Sequence, residues 1–93
     1  MSQSMTTTDH ETIRRWAEAR GARPVRVRGT GSDRDPGILR LDFPGYAGEE
    51  ALEPIDWSEW FEKFDDQRLA LVYQETTSSG EPSNFNKIVR RDD

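Results

Sequence analysis

Four aromatic residues recur at helical spacing between residues 57 and 64, in the segment WSEWFEKF. They occupy positions i, i+3, i+4 and i+7, so one helix face carries all of them: Trp57, Trp60, Phe61 and Phe64. Asp56 and Glu59 fit a capping box at the start of this helix. Only 32% of the chain is hydrophobic, so a core poor in aliphatic residues needs these large rings. The spacing therefore predicts a core helix rather than a ligand-stacking surface.

A second helix is predicted over residues 9–20. Thr8 and Glu11 have the spacing of a capping box, with Thr8 as the N-cap. Gly21 can adopt the left-handed conformation that closes a helix, and Pro24 prevents the helix from resuming. The polar residues 1–7 before it are expected to form a disordered leader.

Four segments have the character of strands. Residues 24–30 and 38–43 alternate apolar and polar side chains, residues 69–74 are largely apolar, and residues 85–90 fit a returning strand. With the helices, the order is αββαββ. Short connections within each strand pair favour an α+β fold, with an antiparallel sheet of three to four strands and two helices packed on one face. A length of 93 residues predicts a single domain, over residues 8–91.

Few residues in this chain are suited to catalysis or metal binding. It contains no cysteine and one histidine, His10, so neither a thiolate nucleophile nor a zinc–sulfur site is expected. The carboxylates Glu59 and Glu62 share a helix face that is expected to be solvated. We therefore predict no catalytic residue, no metal and no cofactor. The absence of cysteine, of a signal sequence and of an apolar run of about 20 residues favours the cytoplasm over secretion or a membrane.

Charge is distributed unevenly along the chain. Residues 9–40 contain eight arginines and five acids, whereas residues 41–66 contain nine acids and one lysine. If the apolar residues of the first two strands face the helices, Arg26, Arg28 and Arg40 face solvent together. Tyr46, in a glycine-flanked loop, is the aromatic residue most expected to be exposed, and it is added to the predicted site.

These residues are the predicted partner-binding site. Guanidinium groups bind carboxylates and phosphates alike, but a net charge of −5 disfavours nucleic acid. An acidic protein partner is preferred, self-association through the acidic segment is second, and nucleic acid is third. The alternative is an ordinary solvated sheet face.

Several segments resemble a family of small bacterial proteins, namely RRWAEARGARPVRVRGTG, GILRLDFPG, IDWSEWFEKFDDQRLALVYQE and SNFNKIV. Members of that family often carry the label 1,4-α-glucan branching enzyme, and the resemblance covers nearly the whole chain. It implies a carbohydrate-linked role, as an accessory to a branching enzyme or in weak glucan binding. A (β/α)₈ barrel of the kind that branching enzymes use needs roughly 200–250 residues, far more than this chain has.

The sequence as a whole favours a small, non-catalytic binding or accessory module of the bacterial cytoplasm. The alternatives are the carbohydrate-linked accessory that the resemblance implies and a purely structural homodimer.

Overall fold

The computed structural model describes residues 3–28, 38–45 and 51–91. In chain order they form β1 (Ser4–Thr7), α1 (His10–Ala19), β2 (Arg23–Val27), β3 (Leu39–Asp42), β4 (Leu52–Pro54), α2 (Trp57–Asp66), β5 (Leu69–Gln74) and β6 (Asn86–Arg90). Two helices pack against antiparallel sheets in this part of the chain, which confirms the predicted α+β class.

The strands form two three-stranded sheets where the sequence led us to expect one. Sheet A has the strand order β1-β5-β6, and sheet B has the order β3-β2-β4. The expected pairings of β2 with β3 and of β5 with β6 are present. Each helix, however, passes the chain from one sheet to the other, since α1 connects β1 to β2 and α2 connects β4 to β5. The single sheet with both helices on one face is thereby corrected.

Strand β1 corrects the prediction of a disordered leader. Ser4–Thr7 pairs antiparallel with β5, and Ser4 lies opposite Gln74. Its side chains are mostly exposed, so the ladder of main-chain hydrogen bonds, rather than apolar burial, holds this strand. A polar strand of this kind leaves no hydrophobic pattern in the sequence. Residues 1 and 2 lie outside the described residues.

The N-cap of α1 is Asp9 and not Thr8 as expected. The Asp9 carboxylate accepts hydrogen bonds from the Thr12 main-chain N–H at 2.9 Å and from the Thr12 hydroxyl at 2.6 Å. Both bonds lower the pKa of Asp9 from its ordinary value of 3.8, and the bond from the Thr12 hydroxyl has the larger effect. Glu11 does not reach back to the cap but pairs with Arg14 and Arg15.

The other end of α1 is closed as the sequence predicts. Gly21 has a φ of 71°, and the main-chain N–H groups of Gly21 and Ala22 donate to Glu18 O and Ala17 O. This pattern is a Schellman motif, which needs the left-handed conformation that glycine adopts without a steric penalty. A Cβ atom at Gly21 would also lie 3.0 Å from Pro44 Cγ, so space as well as conformation favours glycine.

Helix α2 begins at the predicted cap. Asp56 accepts a hydrogen bond from Glu59 N at 2.9 Å. Trp60 and Phe64 are fully buried and Phe61 is nearly so, which confirms the predicted core face, while Trp57 is half-buried. One apolar cluster joins both helices and both sheets: Ile13, Trp16, Ala17, Ala22, Leu39, Leu41, Trp60, Phe61, Phe64, Leu71 and Tyr73.

Two indole N–H groups connect this core to the sheets. Trp60 Nε1 donates to Arg40 O in sheet B at 3.1 Å, and Trp16 Nε1 donates to Gln74 O in sheet A at 2.8 Å. A buried indole usually finds such a partner because an unpaired donor is costly. Each helix is therefore fixed to one sheet by a directional contact as well as by packing.

Candidate partner-binding surfaces

The three arginines predicted to share one face of the sheet do not do so. In the β2–β3 register, Val25 lies opposite Arg40, and Arg26 lies opposite Leu39. Directly opposed residues of an antiparallel pair point to the same side of the sheet. Arg40 therefore shares a face with Val25, whereas Arg26 and Arg28 share the other face with Leu39. Alternation within each strand is as expected, but the offset between the strands differs by one residue, and such an offset exchanges the faces.

Arg26 and Arg28 do come together, and they meet at a carboxylate that the sequence analysis missed. Arg26 Nε donates to Glu53 Oε1 at 2.6 Å, while Arg28 Nε lies 3.9 Å from Glu53 Oε2. Glu53 belongs to β4, whose three residues give no periodic pattern. Two guanidinium groups thus face one carboxylate, so the three groups together carry a net positive charge. The Arg28 side chain is 67% exposed, so that charge is presented to solvent.

Arg40, a third predicted site residue, is separate from this pair. Arg40 is exposed on the edge strand β3, and its Nη1 donates to Leu39 O at 3.2 Å. Tyr46 lies outside the described residues. The structure therefore reduces the described arginine surface to Arg26, Arg28 and the Glu53 carboxylate between them.

Arg20, which sequence reasoning did not single out, joins α1 to the β5–β6 hairpin. Its guanidinium donates to Ser83 O at 2.6 Å, Glu75 O at 2.8 Å and Trp16 O at 3.0 Å, and lies 4.4 Å from the centre of the Trp16 ring. A surface cavity of about 280 Å³ adjoins it, lined by Thr12, Arg15, Trp16, Ala19, Arg20 and Glu75. Three carbonyl acceptors give this arginine a structural role. The one feature of the sequence that could have indicated this role is the position of Arg20 at the C-terminal end of the helix, directly before Gly21.

His10, the one histidine of the chain, is part of a contact between three elements. His10 Nε2 lies 2.8 Å from Asp65 Oδ2, and Arg91 Nη2 donates to Asp65 Oδ1 at 2.5 Å. The imidazole is stacked on Phe61 with a centroid distance of 4.2 Å. This cluster holds the start of α1 against the end of α2 and the residue after β6.

In residues 3–28, 38–45 and 51–91, no three His, Cys, Asp or Glu side chains are grouped so that they could hold a metal ion. Within the same ranges, neither helix has the length and apolar character that crossing a bilayer requires.

Comparison with known proteins identifies no relative. No protein-family model, no curated protein and no solved structure matches this chain.

Proposed function

We propose that this chain is a small, non-catalytic module that binds an acidic protein surface through Arg28 and Arg26. The observation that carries the proposal is the sharing of one carboxylate, that of Glu53, by two guanidinium groups on one face of sheet B. Arg26 takes the short hydrogen bond, which leaves Arg28 with a loose ion pair. The planar guanidinium of Arg28 is therefore available to a second carboxylate, which it can bind through two parallel hydrogen bonds.

The charge of the chain selects among anionic partners. The net charge of −5 repels a polyanion such as nucleic acid, whose binding depends on many simultaneous phosphate contacts. A folded protein surface with one or two well-placed carboxylates requires only a local match with the Arg26–Arg28 pair. Self-association through the acidic segment remains the competing outcome, and solution mass distinguishes it from binding to a different protein.

The test compares two charge reversals of equal size. A partner captured from a lysate of the native host and then purified is titrated against wild type, Arg28→Glu and the control Arg15→Glu across a salt series. Arg15 is a suitable control because its side chain is 78% exposed on α1 and it too has a single glutamate partner. We expect Arg28→Glu to weaken binding about tenfold, equivalent to about 1.4 kcal/mol, with a reduced salt dependence.

The proposal fails if both reversals weaken binding equally, or if wild-type affinity is the same at low and high salt. Thermal unfolding of each variant shows that the fold is intact, since exposed ion pairs contribute little to stability.

A further inference from the structure

Among the described residues, strand β6 (Asn86–Arg90) pairs with β5 on one side and with no strand on the other. Gln74 N donates to Phe85 O and Arg91 N donates to Arg68 O. In an antiparallel pair, the residues that exchange hydrogen bonds alternate with residues that do not. The main-chain N–H and C=O groups of Asn86, Ile88 and Arg90 therefore point away from β5, along the outer edge of sheet A.

Two of the other edge strands are protected in ways that β6 is not. β4 has three residues and ends in Pro54, and a short edge with proline resists further pairing. On β3, the Arg40 side chain donates to Leu39 O and so occupies one of the edge acceptors. The remaining edge strand, β1, has four residues and no charged side chain, so it has no charge that would select an acidic or a basic segment. β6 is the longest of the four edge strands in the described residues, with five residues and no proline.

Strand β6 itself contains two cationic residues and no acidic residue. The side chains of these residues, Lys87 and Arg90, are both exposed. Within the described residues neither forms an ion pair. Lys87 lies opposite Val72 and Arg90 lies opposite Leu69, so the register places the two cations on opposite faces of the edge. A strand added here would meet one positive charge on each of its faces.

Apolar side chains lie beside and between these charges. Phe85, the residue before β6, is 48% exposed, and Ile88 and Val89, between the two cations, are half-buried. Strand addition takes its affinity from main-chain hydrogen bonds and its specificity from the alternate side chains of the added segment. This edge therefore suits an extended segment in which acidic and apolar residues are mixed.

We propose that β6 is a strand-addition site for an extended acidic segment of another protein. A second copy of this chain paired through its own β6 would bring Lys87 and Arg90 of both copies to one edge, where like charges disfavour pairing. The site is independent of the Arg26–Arg28 surface because it lies on the other sheet. Exposed lysine on an edge strand prevents indiscriminate pairing, and here it also selects the charge of the occupant.

The direct test uses a fluorescent peptide of about eight residues, a typical strand length, in which pairs of glutamates alternate with pairs of valines. Successive side chains of a strand point to opposite faces, so this peptide carries carboxylates on both faces and can meet Lys87 and Arg90 together. Its affinity is measured for wild type, for Lys87→Gln/Arg90→Gln and for the matched control Arg14→Gln/Arg15→Gln on α1. We expect the β6 double variant to bind at least about tenfold more weakly, and the α1 double variant and Arg28→Glu to bind as wild type. The same peptide with every main-chain amide N-methylated retains its side-chain charge but has no main-chain donor on either edge, and it should not bind.

Amide resonances locate the contact. Addition of the peptide should shift the amide protons of Asn86, Ile88 and Arg90 and slow their exchange with solvent, while those of β3 stay unchanged. Unimpaired binding of the N-methylated peptide would overturn strand addition, and so would the absence of any binding at millimolar peptide. Protection of the same three amides in peptide-free protein, together with a doubled solution mass, would assign the edge to a second copy instead.

Discussion

The start of helix α1 depends on one carboxylate, that of Asp9. It accepts two hydrogen bonds from Thr12, and Thr7 Oγ1 in turn accepts a hydrogen bond from Asp9 N at 3.0 Å. A helix start leaves main-chain donors without partners, and an aspartate satisfies one of them while its charge interacts favourably with the helix dipole. Thr8, the residue that spacing alone favoured, makes no such bond in the described structure.

We predict that Asp9→Ala lowers the thermal unfolding midpoint, whereas Thr8→Ala leaves it nearly unchanged. Hydrogen bonding lowers the pKa of Asp9 in the folded state below its ordinary value of 3.8. The stabilisation is therefore fully present above pH 3.8 and is lost as pH falls through the lower folded-state pKa. Thermal scans of wild type and both variants from neutral to strongly acidic pH should show the Asp9→Ala difference shrinking at the acid end. A constant difference at all pH values would contradict this origin.

Helix α2 is the element that contributes most large side chains to the core. Trp60 is fully buried, stacks on Phe64 at 5.1 Å and meets Phe61 edge-on at 5.3 Å. Rings in such arrangements stabilise one another beyond the apolar area that they bury. In a small domain with a thin core, one ring of this size is a large part of all the apolar surface that folding buries.

We predict that Trp60→Ala destabilises the protein by about 3–5 kcal/mol, the usual cost of deleting a buried large aromatic side chain. Trp57→Ala is the matched control on the same helix, because Trp57 is only half-buried and its deletion leaves a smaller cavity. Urea unfolding followed by fluorescence of the remaining tryptophans measures both changes. Equal losses for the two variants would show that α2 does not have a distinct buried face.

At the scale of the whole molecule, one guanidinium joins α1 to the distant β5–β6 hairpin. Arg20 binds carbonyl groups of Ser83 and Glu75, more than 50 residues away along the chain. Ser83 is itself buried, and its hydroxyl donates to Gln74 Oε1 at 2.9 Å. The polar turn of the hairpin is therefore positioned by hydrogen bonds in place of apolar packing.

We predict that Arg20→Lys destabilises the protein by about 1–3 kcal/mol, because an ammonium group cannot reach all three carbonyl acceptors and leaves some unpaired. Arg15→Lys, at an exposed position, should change stability by less than about 0.5 kcal/mol. Urea unfolding measures the change in the free energy of unfolding for both variants. Hydrogen exchange should be faster in residues 75–85 for Arg20→Lys alone. Unchanged exchange in that segment would mean that Arg20 does not hold the hairpin.

The candidate site could be predicted only in part. Alternation placed Arg26 and Arg28 on one face, and the structure shows them there. The prediction that Arg40 shares this face requires two alternating strands to align their apolar faces, but the observed register offsets the strands by one residue. Glu53 gave no signal because β4 is too short to show a period.

The sequence by itself determined the local features of this protein: the two helices, the cap at Asp56, the glycine closure at Gly21 and the aromatic core face of α2. Each depends on residues within one or two helical turns, so composition and spacing are sufficient to encode it. Only the tertiary structure decided the division into two sheets, the presence of β1 and β4, and the faces on which the arginines lie. These features depend on pairing between segments far apart in the chain, where main-chain hydrogen bonds are nearly independent of side-chain type and leave no local pattern.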